Sequence, residues 1–336
     1  MRVHLYMGSY DTVKKSGVGQ AICHQKAMLQ SAGAEVTEQW QGGADAVQIN
    51  TVFPGSVLAA LRARRRGELV VYYGHSTMQD FRNSFVGSNL LSRLFLRWIC
   101  FCYNLGDIIL TPTPYSRGIL ESYHLKRPIY SISNGVDTSF FAPSAAQRTA
   151  FRAHYGLKEG DKAVISVGHF MERKGILDFI ELARRMPSVQ FFWFGYTDPA
   201  LVPGKIKAAM QNKTENLHFP GFLDQAALRQ AYCGADAFCF CSQEETEGIV
   251  VLEALACGVP VIVRDIPVYA DWLENGKNVY KADSTQGFAQ TLAALLDGTL
   301  PDLTSSGREV AQSRSLANVG QKLLDIYQQQ RLPAMQ

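Results

Sequence analysis

Two glutamates eight positions apart carry the strongest chemical signal in the chain. Glu245 and Glu253 lie in the stretch Ser242-Gln-Glu-Glu-Thr-Glu-Gly-Ile-Val-Val-Leu-Glu-Ala-Leu-Ala-Cys-Gly-Val-Pro260. An apolar, strand-like run ends near Cys241, a short acidic loop follows, and a helical pattern starts near Gly248. That layout puts Glu245 in the loop and Glu253 about one and a half turns into the helix, so that both can face one cleft. Carboxylates accept hydrogen bonds from hydroxyl pairs such as those of sugars and ribose. Acids near a helix N-terminus also favour the helix dipole. The dipole accounts for Glu245 and Glu247 but not for a glutamate at 253 on an apolar helix face. The start of the helix adds free N–H groups for anionic or polar oxygens.

Three further groups follow strands. Val167-Gly-His-Phe-Met-Glu-Arg-Lys-Gly175 opens a helix, and Lys174, with Arg173 beside it, could neutralise a diphosphate. Tyr72-Tyr-Gly-His-Ser-Thr-Met-Gln-Asp80 places His75 beside Ser76, with Asp80 a turn further on; a histidine there can bond a sugar or orient an attacking hydroxyl. Ser133-Asn134-Gly135-Val136-Asp137 is a turn by its local chemistry. Near the start, Gly17 and Gly19 form a G-x-G, which by itself is a weak signal. This is neither G-x-G-x-x-G nor a P-loop, so a nicotinamide enzyme or a kinase is not supported. No D-x-D triplet occurs to bridge a metal to a diphosphate, so no metal and no cofactor is expected.

The elements that must hold these groups alternate throughout. Strand patterns at 3–7, 46–49, 69–73, 107–111 and 129–133 are separated by helical segments, the first over 17–33. The alternation restarts after a polar stretch near 144–152, with strands at 163–167, 189–194, 217–219, 237–240 and 259–263. The helices of this second run are expected at 174–186, 203–211, 224–233, 248–257 and 284–297. Such alternation argues for parallel sheets with crossover helices, and two runs of it for two doubly wound α/β domains. The expected division is 1–142, 143–310, and a C-terminal helix over 311–336 that could return to the first domain. Its helical pattern, about 308–330, is polar and amphipathic. The length of 336 residues suits two such domains.

The net charge of +3 is unevenly spread: residues 1–145 carry +5 and the rest −2, so the front half is expected to meet something anionic. Seven cysteines, four of them in the pairs Cys100/Cys102 and Cys239/Cys241, read as reduced core thiols. The N-terminus begins as a strand with no leader pattern, and no apolar run reaches the roughly 18 residues of a spanning helix.

The E-x7-E followed by Ala-Leu-Ala-Cys-Gly-Val-Pro-Val-Ile resembles the signature of the family-four retaining glycosyltransferases, which have the GT-B fold of two Rossmann-like domains facing across a cleft. The resemblance implies that Glu245 contacts donor-sugar hydroxyls and Glu253 the nucleotide ribose. It implies that the backbone of Gly248, Ile249 and Val250 lies over the donor phosphates, with Gly17 and Gly19 in a second glycine-rich loop. Lys174 matches the family's G-R-x-x-x-x-K-G loop, but His169 stands at the usual arginine position, so that phosphate contact falls either to His169 or to the adjacent Arg173. His75 matches the histidine that contacts the transferred sugar, and Asn134 the N-G-V-D that lines the cleft at the join between domains. The donor implied is a UDP-hexose and the mechanism is metal-independent.

Leu90-Leu-Ser-Arg-Leu-Phe-Leu-Arg-Trp-Ile-Cys-Phe101 sets large apolar side chains beside Arg93 and Arg97, with Arg62, Arg64, Arg65 and Arg66 nearby in sequence. It reads as a surface that lies on anionic lipid, with no nucleic-acid partner expected. Runs such as His75-Ser-Thr-Met-Gln-Asp-Phe-Arg-Asn-Ser84 resemble the Gram-positive glycolipid synthases that extend monoglucosyl-diacylglycerol. The resemblance implies transfer of galactose or glucose to that glycolipid by an enzyme peripheral on the inner face of the cell membrane. The alternatives are a diacylglycerol glucosyltransferase, or a soluble family-four enzyme acting on a polysaccharide or small sugar.

Overall fold

A computed structural model describes residues 1–40, 42–84 and 87–331. The first sheet is built from β1 (Arg2–Leu5), β2 (Glu35–Thr37), β3 (Ala46–Ile49), β4 (Leu69–Tyr73), β5 (Ile108–Thr111) and β6 (Ile129–Ser131). The second contains β7 (Lys162–Val167), β8 (Val189–Phe194), β9 (Leu217–Gly221), β10 (Ala237–Phe240), β11 (Val261–Arg264) and β12 (Tyr280–Ala282). The helices between the first strands are α1 (Tyr10–Val13), α2 (Gly17–Ser31), α3 (Pro54–Arg65), α4 (Met78–Phe81), α5 (Ser88–Tyr103) and α6 (Pro114–Glu121). Then come α7 (Ala145–His154), α8 (Ile176–Arg185), α9 (Gly204–Gln211), α10 (Gln225–Gly234), α11 (Ile249–Cys257), α12 (Thr285–Leu296), α13 (Thr304–Ser313) and α14 (Leu316–Arg331).

Every strand pairing described is parallel, with orders β2-β1-β3-β4-β5-β6 and β12-β11-β10-β7-β8-β9. Strands buried on both faces need continuous apolar sequence, and Val70–Tyr73, Ile108–Leu110 and Ala237–Phe240 supply it. Each sheet has one place where the order reverses: between β1 and β3, and between β7 and β10. Crevices at such points, beyond the carboxyl ends of the strands, are where open α/β sheets bind ligands. The α/β, two-domain GT-B architecture is thus present.

Two expectations need correction. The single helix over about 308–330 is two helices, broken at Arg314–Ser315, where Ser315 bridges to Val136. Beyond the break, α14 packs Val319, Leu323, Leu324 and Tyr327 into the core of the first sheet with Met28 and Leu29 of α2. The helix expected over 174–186 begins as a 3-10 turn, Glu172–Lys174, and becomes α8 only after Gly175.

Candidate active site

The two switch-point loops of the second sheet meet. Lys174 follows β7 and the acidic loop follows β10, and Lys174 Nζ donates to Glu245 Oε1 at 2.5 Å. Gly175 makes this approach possible: its φ is +77°, and a Cβ there would lie 2.2 Å from the Cys241 carbonyl oxygen. Ser242 Oγ donates to the same Glu245 oxygen at 2.6 Å. Burial acts to raise the Glu245 pKa, but the Lys174 and Arg173 charges and the bonds from Lys174 and Ser242 outweigh it, so the carboxyl lies below its ordinary range. Gly248, in the left-handed region, caps α11, so the backbone of Ile249 and Val250 forms its first turn.

Glu245 and Glu253 do not share partners. Glu253 is 2% exposed and accepts from the Tyr232 hydroxyl of α10 at 2.9 Å. Burial pushes its pKa up to about 8, against a smaller opposing effect of the Tyr232 bond. The folded chain therefore keeps this proton up to about pH 8, while the unfolded chain releases it near 4.5. Unfolding in that window releases a proton, so stability falls as pH rises through it. Glu253→Gln cannot titrate and keeps an oxygen for Tyr232. We expect it to be more stable than the wild type by about 2–3 kcal/mol at pH 7, with no gain at pH 4.5. Urea midpoints at the two pH values check this.

Arg173 turns towards the front half. Its Nη1 pairs with Asp80 Oδ1 at 2.7 Å and donates to the Glu244 carbonyl at 2.8 Å. His169, at the position of the family's arginine, meets the Tyr196 carbonyl through Nδ1 at 2.6 Å, and burial, aided by Lys174 and Arg173, lowers its pKa. The acidic loop makes further cross-cleft contacts. Thr113 Oγ1 donates to the Thr246 carbonyl and the Tyr115 hydroxyl to Glu244. Glu247 accepts from Ser133 Oγ at 2.5 Å and from both nitrogens of Asn134 at 2.8 and 2.9 Å. Asn134 is thus held at the join between the halves.

In the front half, His75 lies at the carboxyl end of β4, with Tyr73 stacked on it at 5.0 Å between centroids. Asn50 Oδ1 is 2.9 Å from its Nε2, and burial pushes its pKa down to about 4, so the imidazole is neutral near pH 7. Ser76 is tied by its backbone to the Tyr103 hydroxyl. Gly17 opens α2 with free space around it, whereas a Cβ on Gly19 would lie 2.4 Å from the Val13 carbonyl oxygen. Packing against the preceding turn therefore explains Gly19. Sequence reasoning missed Ser242, Asn50 and Tyr232, and read Glu247 only as a helix-end acid.

Facing doubly wound domains, with a cation–carboxylate pair at one switch point and a neutral histidine across the cleft, define a GT-B glycosyltransferase. Residues 27–140 match the family model "Glycosyltransferase Family 4" and residues 147–310 match "Glycosyl transferases group 1". A processive diacylglycerol alpha-glucosyltransferase of Acholeplasma laidlawii is 38% identical over 98% of this chain and 98% of its own length. The alpha-galactosylglucosyldiacylglycerol synthase of Streptococcus pneumoniae is 26% identical over 98% of this chain and 90% of its own. An Anabaena protein solved in complex with UDP-glucose superposes with a TM-score of 0.78 at 18% identity, over 98% of this chain and all of that one. The chain belongs to the family-four glycosyltransferases.

Proposed function

We propose that this enzyme moves glucose or galactose from a UDP-hexose to monoglucosyl-diacylglycerol, with retention of the α configuration, at an anionic membrane surface on the cytoplasmic side. The observation that carries the lipid acceptor is the outward face of α5. Leu90 and Leu94 are 89% and 66% exposed, and Trp98 and Phe101 continue the same stripe. Arg93 and Arg97 flank it, and Leu58, Leu61, Arg62, Arg64 and Arg65 of the neighbouring α3 are exposed too. Trp98 Nε1 donates to the Val52 carbonyl, which fixes α5 against the segment that leads into α3. Exposed apolar side chains ringed by arginines suit the boundary between headgroups and acyl chains. No described helix is long and apolar enough to cross a membrane. The names of the two end-to-end relatives support a diacylglycerol-based acceptor.

In this reading Lys174 exchanges Glu245 for the donor diphosphate, Glu245 turns to the sugar hydroxyls, and Glu253 takes the ribose. Backbone N–H groups at Gly248, Ile249 and Val250 face the phosphates, and His75 bonds the transferred sugar. The acceptor oxygen attacks C1 as the C1–phosphate bond breaks, and the departing phosphate oxygen takes the acceptor's proton. Lys174 and the start of α11 supply the positive charge, so no metal is needed. Excess EDTA is expected to leave initial rates unchanged; a loss restored by a divalent cation would refute that part.

The test offers radiolabelled UDP-glucose and UDP-galactose separately, with vesicles containing diacylglycerol or monoglucosyl-diacylglycerol. A labelled diglycosyl lipid from one donor supports the reading and names the sugar. A monoglucosyl product alone assigns the enzyme to diacylglycerol itself. No lipid product from any pairing, beside measurable UDP binding, overturns the lipid acceptor and leaves a soluble transferase.

A further inference from the structure

We propose that Arg173 is a positioning residue and not a contact to the donor phosphates: with Asp80 it latches the front half to the acidic loop, and so sets His75 against Glu245. The inference rests on the roles given to those two residues above. Arg173 is 8% exposed, and its guanidinium already has three partners. Nη1 pairs with Asp80 Oδ1 at 2.7 Å and donates to the Glu244 carbonyl at 2.8 Å, and Nε donates to Ser84 Oγ at 3.3 Å. Ser84 Oγ in turn donates to the Asp80 carbonyl at 2.7 Å, so the guanidinium and its front-half partners form one closed set. Among the described residues this is the only ion pair that joins residues 1–142 to 143–310.

The latch acts on the two segments that carry the site. On the front side α4 follows directly on His75-Ser76-Thr77, and Thr77 Oγ1 caps it by accepting from the Asp80 N–H at 3.0 Å. On the back side the Arg173 carbonyl accepts from the Gln243 N–H at 2.8 Å, while the side chain holds the Glu244 carbonyl, one residue before Glu245. A planar guanidinium with fixed donor directions sets two segments at one distance and angle, which a flexible ammonium does not. Lys174 makes the contrast. Among the described residues its ammonium has one hydrogen-bond partner, Glu245, and can exchange it for a diphosphate. The same exchange at Arg173 would break three bonds and strand Asp80, and separating so buried a pair is costly.

Asp80→Ala is expected to lower turnover about tenfold with the donor KM unchanged. In an Arg173→Gln background it should cost less than about twofold further, because its effect passes through the guanidinium. The double variant removes both charges, and calorimetry should show it binding UDP as the wild type does. Loss of a phosphate contact would instead weaken UDP about tenfold or more. Melting curves report whether each variant folds. Hydrogen exchange at the amides of residues 80–83 gives a readout that needs no transfer, and it should quicken in Arg173→Gln. Tenfold weaker UDP binding in the double variant would make Arg173 a phosphate ligand, and turnover losses that multiply would uncouple it from Asp80; either result overturns the inference. A wild type that binds no UDP would remove the donor reading instead. Amide exchange would then still decide the latch, which unchanged rates in Arg173→Gln overturn and faster rates uphold.

Discussion

Glu245→Gln will lower transfer by about two to three orders of magnitude while UDP binds at least as tightly as before. The opposite signs come from one contact. Lys174 is held by Glu245, which also accepts from Ser242. The carboxylate therefore competes with a diphosphate for the same ammonium group. Glutamine gives up that competition, and Lys174 becomes available to UDP. Glutamine also gives up a charged acceptor for the sugar hydroxyls, whose bonds must strengthen as C1 loses its leaving group. Calorimetry with UDP and initial rates with UDP-hexose measure the two effects separately. Weaker UDP binding with intact transfer would contradict both halves.

The other large effect belongs to the outward face of α5, proposed above to meet the membrane. Leu90→Glu combined with Leu94→Glu will weaken vesicle binding by a hundredfold or more. Burying each leucine in lipid is worth about 1.5–3 kcal/mol, and each added carboxylate repels an anionic surface. Both side chains are exposed, so folding and UDP affinity should be untouched. Vesicle co-sedimentation gives the readout, and raising the salt should weaken the wild type through Arg93 and Arg97. Undiminished sedimentation of the double variant would move the membrane contact elsewhere.

Much of this was legible in the residues. Apolar runs gave ten of the strands, because parallel strands covered on both faces must be apolar throughout. The two that escaped, β2 and β12, are three-residue edge strands that each carry a charged residue, Glu35 and Lys281, and so show no apolar run. Acidic-loop and lysine motifs were visible as motifs, but their mutual contact was not, since a pairing over 71 residues is set by strand order. Polar side chains in apolar surroundings were the overlooked signal. Gln48 stands inside Ala46-Val-Gln-Ile49, and Gln25 lies among buried positions of α2. A glutamine at a buried register must have a partner, and these two are each other's.

The break at Arg314–Ser315 has a consequence for how the protein is made. Every strand of the first sheet has been synthesised by residue 131, yet part of its core, Val319 to Tyr327, arrives almost two hundred residues later. The second sheet waits far less: its strands are complete by residue 282 and its core by Ala311. On the ribosome Met28 and Leu29 have no cover until α14 is made, so the second domain is expected to complete its core first. A chain stalled near residue 314 would carry a finished second half and an open, aggregation-prone partner. The order of completion runs against the order of synthesis, and the final helix sets when the first half becomes whole.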